Sequence, residues 1–201
     1  MAKPRALIFD CDGTLITSAR VYAKAWAEGF GLSGRQMDAS WYMANHGLSE
    51  CGLIGAFERL HGITVDQDAV VARMRAGFIE RLSEVYENPP IARIARSLAN
   101  TVPMAVASGG PRAIVEASLV ATGLRHLFPH VVTYDDVGRA KPDPALFLEA
   151  ARRLGVQPEN CIAFEDSAVG IAAARDANMT VIDITDKSSL KVEDLLRTLC
   201  P

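Results

Sequence analysis

The chain has 201 residues, 49% of them hydrophobic and 22% charged, with 21 basic against 24 acidic side chains and a formal net charge of −3. Such values describe a soluble globular protein with ample core, long enough for one generous domain or for one domain carrying a smaller insert. They leave no global basic excess of the kind that neutralises nucleic-acid phosphates, although a few local charges suffice for a small phosphate-bearing molecule.

The N-terminus passes Lys3 and Arg5 into a short apolar stretch that Asp10 ends, unlike a secretory leader. No run approaches the ~20 apolar residues of a membrane span. The four cysteines, Cys11, Cys51, Cys161 and Cys200, lack CxxC or any other metal-ligand spacing. A reduced, cytoplasmic protein is therefore expected.

Runs of strand length and composition occur at Ala6–Phe9, Pro103–Ala107, Val131–Tyr134, Cys161–Phe164 and Val181–Ile184. Most are continuously apolar rather than alternating, and helical patterns lie between them, which predicts an α/β fold with a doubly wound, Rossmann-like parallel sheet covered on both faces. Pro111 and Gly123 bracket one predicted helix. Asp143, Pro144 and Gly155 bracket the next, with Asp143 as cap and Pro144 at the first position.

From Thr17 to Asn88 no strand-like run appears. Tyr22, Trp26, Gly29 and Phe30 share one helical face, and Val70, Met74, Phe78, Leu82 and Val85 recur every three or four residues on another. This block, closed by Asn88-Pro89-Pro90, is expected to be an inserted all-helical cap domain at 17–88, the core domain being 1–16 with 89–201. Residues 187–201 read as a short amphipathic helix.

In open parallel sheets ligands bind at the carboxyl ends of the strands, and the polar residues fall there. The first strand runs into Asp10-Cys11-Asp12-Gly13-Thr14, the second into Ser108-Gly109-Gly110, and the fourth into Glu165-Asp166-Ser167; Lys141 follows the third. Taken singly, each is accounted for as a helix cap, a turn or a solvated loop residue. As a set they are not, since Asp-x-Asp-Gly-Thr alone arises by chance at about one in 10⁵ positions. Asp10, Asp12, Glu165 and Asp166 crowded at one edge would repel one another unless a cation sat among them, and hard carboxylate oxygens without His or Cys suit Mg²⁺. Lys141, the Ser108 hydroxyl and the amides of the Gly109-Gly110 turn would then cradle a phosphate. One carboxylate could attack phosphorus while the other, two residues away, protonates the leaving oxygen.

These segments resemble, in order and across the whole chain, the four motifs of the haloacid dehalogenase superfamily: Asp10-Cys11-Asp12-Gly13-Thr14-Leu15, Ser108-Gly109-Gly110, Lys141-Pro142-Asp143-Pro144 and Glu165-Asp166-Ser167 with Gly170-Ile171 behind. The resemblance implies Asp10 as nucleophile, Asp12 as general acid and base, and Ser108, Gly109 and Lys141 as phosphate binders. It also implies Mg²⁺ held by Asp10, Glu165, Asp166 and the Asp12 backbone carbonyl. The helical insert resembles the subfamily of β-phosphoglucomutases and sugar phosphatases, and the back half resembles bacterial phosphatases of fructose 1-phosphate and 6-phosphogluconate.

Two departures bear on activity. Tyr22 stands ahead of Lys24-Ala25-Trp26 where the mutase pattern has a His, and Gly47-Leu48-Ser49 leads into Glu50 where that pattern has an Arg for a second phosphate. A carboxylate there is expected to repel a bisphosphate, whereas hydrolysis needs no second phosphate. The usual Asp after the first motif is replaced by Thr17-Ser18, which can still cap the next helix. The expectation is a Mg²⁺-dependent phosphatase of small phosphomonoesters working through an aspartyl-phosphate. It needs neither nucleic acid nor membrane, and is expected as a monomer or weak dimer. A phosphomutase is the nearest alternative; a dehalogenase or a non-catalytic binding protein on the same fold are the others. Specificity should come from the insert, with Tyr22, Lys24, Asn45, His46 and Ser49 as candidates.

Overall fold

A computed structural model describes residues 6–186. The expected helix at 187–201, and Cys200 with it, lies outside the described residues. The chain divides into two compact units, one comprising the described residues before Ser18 and after Tyr86, the other Ser18–Tyr86.

The first unit is built on a parallel sheet. Its strands are β1 (Ala6–Phe9), β4 (Met104–Ala107), β5 (His130–Val132), β6 (Cys161–Glu165) and β7 (Thr180–Asp183), in spatial order β5-β4-β1-β6-β7. The chain moves from β1 outward to β4 and β5, then returns to the other side of β1 for β6 and β7. The carboxyl end of β1 is thus the point where the winding reverses. Ala105 and Ala163, the register partners of Ile8, put small residues beside it on one face, where Leu146, Phe147 and Ala150 of helix α8 (Ala145–Leu154) and Ala173 and Ala174 of α9 (Ala168–Asp176) join them in one buried cluster. The opposite parity carries larger groups: Phe9 stacks on Phe164 and meets Phe128 edge-on. Burial on both faces explains why these strands read as continuous apolar runs.

Strand positions agree with the sequence to within a residue or two, and the differences have local causes. The third run was expected to continue to Tyr134, but Thr133 closes a capping box with Asp136 and starts a helical turn, α7 (Tyr134–Val137). Val181–Ile184 shifts to Thr180–Asp183, and the Ile184 N–H still donates to Glu165 O just beyond the strand. Pro111 and Pro144 sit one residue earlier than the first-position placement predicted, at the N-caps of α6 (Arg112–Ala121) and α8. Asp143 Oδ1 still accepts from the Ala145 N–H at 2.9 Å, and Gly155 closes α8 at φ 67°.

The second unit contains α1 (Ala19–Gly31), α2 (Ala39–Asn45), α3 (Glu50–His61) and α4 (Gln67–Ile79) around Trp26, Phe30, Phe57 and Phe78. Phe30 stacks on Phe57 at 3.8 Å and on Trp26 at 5.2 Å. Helix α4 stops at Ile79, so Leu82 and Val85 keep the apolar spacing without being on it; Leu82 belongs to a single 3₁₀ turn. Nor is the 17–88 segment wholly helical. Two-residue strands β2 (Ile16–Thr17) and β3 (Tyr86–Glu87) pair with each other where the chain passes between the units. Ser18 stands at the N-cap of α1 but its side chain makes no capping bond, contrary to expectation; its carbonyl instead accepts from Val21 and Tyr22. The three described cysteines are free thiols, and no described helix is long and apolar enough to cross a membrane.

Candidate active site

The loop leaving β1 folds back tightly, with Leu15 and Ile16 N–H groups donating to Cys11 O and the Gly13 N–H to Ile16 O. Gly13 has φ 94°, and a Cβ there would lie 2.1 Å from Asp166 Oδ2, so only glycine lets the loop approach that carboxylate. Thr14, fully buried, donates its hydroxyl to Asp166 Oδ1 at 3.2 Å. Asp10 and Asp166, from β1 and the end of neighbouring β6, are thereby brought to one place.

Lys141, in the loop between α7 and α8, points its ammonium between two buried carboxylates, 2.6 Å from Asp10 Oδ1 and 2.5 Å from Glu165 Oε1, and 5.0 Å over the Phe147 ring. The other Glu165 oxygen accepts from the Asp166 N–H, the Ser167 N–H and the Ser167 hydroxyl, each at 2.9 Å. Asp10 Oδ2, by contrast, is buried with no hydrogen-bond partner. Ser108, beyond β4, is completely buried, and its hydroxyl accepts from the Gly110 N–H at 3.1 Å. A Cβ on Gly110 would lie 3.3 Å from that hydroxyl and 3.5 Å from Asp12 Oδ2, which places the second carboxylate of the first loop against the glycine turn. Asp10, Asp12, Ser108, Gly110, Lys141, Glu165 and Asp166 are thus brought together within one unit, at the carboxyl ends of β1, β4 and β6.

Charge is concentrated rather than balanced there. Burial pushes the Asp10 carboxyl well above the usual range, Glu165 and Asp166 push the same way, and Lys141 opposes them. Burial, then Glu165, lifts Asp166 to about 6. Burial works against the Lys141 charge, but Asp10 and Glu165 outweigh it and hold the ammonium above its ordinary value. Between Asp10 and Asp12, Cys11 is buried and its thiol is pushed up by that burial, so it is no nucleophile.

The sequence pattern of the haloacid dehalogenase-like hydrolases matches residues 4–178. The chain belongs to that family. It is 38% identical to the fructose-1-phosphate phosphatase YqaB of Escherichia coli (strain K12) over 89% of this chain and 95% of that one. It is 32% identical to the 6-phosphogluconate phosphatase of the same organism, over 90% and 82%. A crystal structure of CbbY from Rhodobacter sphaeroides in complex with phosphate superposes with a TM-score of 0.81 at 26% identity, covering 90% of this chain and 85% of that one. As a haloacid dehalogenase-like enzyme the chain is a phosphoric monoester hydrolase.

The acid cluster fits the divalent cation of this family. One oxygen each from Asp10, Glu165 and Asp166 lies within 4.8 Å of the others, all hard donors. The unpartnered Asp10 Oδ2 is a buried acceptor whose desolvation costs about 1–3 kcal/mol if left unmet. Thr14, Ser167 and Gly170, not singled out as site residues from the sequence, contact these acids. The sequence signal for them is their membership of the motif segments that carry the carboxylates.

The five candidates in the second unit each have a partner within that unit. Tyr22 lies 4.4 Å from the Phe78 ring, Lys24 pairs with Glu84 at 2.5 Å, and Asn45 Nδ2 donates to Trp41 O at 2.8 Å. His46 Nδ1 lies 2.7 Å from Met43 O, and the Ser49 hydroxyl caps α3 by accepting from the Gly52 N–H. Glu50 is not a bare carboxylate, because Arg75 donates to both its oxygens, at 3.2 and 2.7 Å. The repulsion expected of Glu50 toward a second phosphate is correspondingly weakened.

Proposed function

We propose that the protein is a Mg²⁺-dependent phosphatase of small phosphorylated metabolites, sugar phosphates in particular, acting through a phosphoenzyme on Asp10. The observation that carries this reading is the unpartnered Asp10 Oδ2 beside Lys141, with Asp12 and Ser108 meeting at the adjacent Gly110 turn. The relatedness to sugar-phosphate phosphatases supplies the substrate class.

The phosphoryl group of the ester is bound by the Ser108 hydroxyl, the Gly109 and Gly110 turn and the Lys141 ammonium. Asp10 attacks phosphorus, and the bond to the ester oxygen breaks as Asp12 delivers a proton to that oxygen. Asp12, now a base, takes a proton from water, which attacks the aspartyl-phosphate and releases inorganic phosphate, restoring Asp10 as a carboxylate and Asp12 as the protonated acid. Asp10, Asp166, Glu165 and the Asp12 carbonyl would hold Mg²⁺, which when bound offsets the negative charge of acids and phosphate together. The helical unit is assigned substrate selection, with Tyr22, Lys24, Asn45, His46 and Ser49 as the residues to vary.

The test is a panel of p-nitrophenyl phosphate, sugar phosphates, phosphoglycolate and nucleotides with Mg²⁺. Hydrolysis is expected, with Asp10→Asn reduced to background. A folded protein inert across the panel would sink the reading. Because Arg75 partly offsets the Glu50 charge, β-glucose 1-phosphate belongs in the panel, and its conversion to the 6-phosphate would assign a mutase instead.

A further inference from the structure

The first turn of α9 lies directly against the acids of the site. Glu165 is completely buried and accepts four hydrogen bonds, one from Lys141 on Oε1 and three from Asp166 and Ser167 on Oε2. The Ser167 hydroxyl works in two directions: it donates to Glu165 and accepts from the Gly170 N–H at 3.1 Å, capping α9. Gly170 is required by space alone. A Cβ there would lie 1.8 Å from Glu165 Oε1 and 2.4 Å from Oε2, where real Cβ atoms come no nearer than about 3 Å. Any larger residue must expel the carboxylate or lift α9 from the end of β6. Expelling the carboxylate removes one of the two acceptors between which Lys141 is held, leaving the ammonium to Asp10 alone, and lifting α9 takes away the Ser167 bonds that hold Glu165 in place.

We propose that Ser167 and Gly170 are positioning residues for this site: through Glu165 they hold Lys141 between two carboxylates, so that Asp10 does not take its whole charge and Oδ2 stays unengaged. Without them Lys141 collapses onto Asp10, which blunts the nucleophile and withdraws the ammonium from the phosphate. This rests on the phosphatase reading of the same groups.

The test compares Ser167→Ala, Ser167→Thr and Gly170→Ala with the parent enzyme. It measures kcat/KM for p-nitrophenyl phosphate, thermal melting, and the binding of Mg²⁺ and of inorganic phosphate by calorimetry without turnover. Ser167→Ala and Gly170→Ala are expected to lose about tenfold or more in kcat/KM and a comparable factor in Mg²⁺ and phosphate affinity, the size seen when groups that orient ligands are removed. Ser167→Thr, which keeps both donor and cap, is expected to recover activity and binding. A simple capping role predicts otherwise: Ser167→Ala would melt lower yet bind and turn over like the parent, and that outcome overturns the proposal. If Gly170→Ala does not fold, the two Ser167 variants decide. A parent that hydrolyses nothing defeats the phosphatase reading, while the calorimetric comparison still decides this one.

Discussion

Asp10 and Asp12 are the same residue type two positions apart on one loop, and their surroundings give them different work. Asp10 is buried with Lys141 on one oxygen and nothing on the other, whereas Asp12 is half-buried against the glycine turn that follows β4. If Asp12 is the proton donor, its value depends on how badly the leaving oxygen needs a proton. Asp12→Asn should therefore lower kcat by about 10²–10⁴ for an alkyl ester such as a sugar phosphate. The loss should be much smaller for p-nitrophenyl phosphate, whose phenolate leaves without help. Equal losses on both substrates in steady-state kinetics would remove Asp12 from the acid role. The identities of these carboxylates were legible in the sequence because motif spacing and strand ends coincide. The commitment of both Glu165 oxygens was not, since it depends on Lys141, 24 positions earlier, and on the path of the first α9 turn.

At the scale of elements, α7 joins the loops on which the site depends. Tyr134 donates its N–H to Gly110 O, and Asp135 accepts from the Arg112 N–H, so the four-residue helix is tied to the turn after β4. Asp136 anchors α7. Its carboxylate accepts from the Thr133 N–H at 2.7 Å and hydroxyl at 3.0 Å, from Arg153 at 2.8 Å, and from Arg112. Burial pushes the Asp136 carboxyl up, but the bonds from Arg153 and Thr133 and the charge of Arg112 outweigh it and bring it down to about 2. A folded value below the unfolded one, about 3.9, means that the contribution is complete above about pH 5 and is lost progressively as pH falls from there toward 1. Asp136→Asn should cost about 1–2 kcal/mol at pH 7, with the gap between its urea midpoint and the parent's narrowing as pH falls and nearly closed only near pH 1. A gap that persists unchanged at low pH would show that the charge is not what matters. The sequence conveyed this region only in part. A Val-Val-Thr-Tyr run has strand composition, and only the Asp three residues beyond Thr133 marks the capping box; two-residue strands such as β2 and β3 are too short to leave any periodic signal.

For the whole molecule, the doubly wound class was readable because buried parallel strands are continuously apolar, but their order was not. The sequence does not say that β1 lies between β4 and β6, and it is that order which makes the acids after β1 and β6 neighbours. Their crowding leaves a mark on stability. Asp10 and Asp166 both sit above the ordinary carboxylate range in the metal-free fold, so a divalent cation bound among them should stabilise the folded first unit by mass action. At about 100 times its dissociation constant Mg²⁺ should add about 2.7 kcal/mol. For a chain of this size that corresponds to roughly 5–10 °C in melting temperature. The acids belong to the unit built from the two ends of the chain, so in calorimetry any separate transition of Ser18–Tyr86 should stay in place while the other moves. Asp166→Asn removes one of the three acids and should abolish most of the shift, as should EDTA added to the parent. An Asp166→Asn protein that is stabilised by Mg²⁺ as strongly as the parent would place the cation elsewhere.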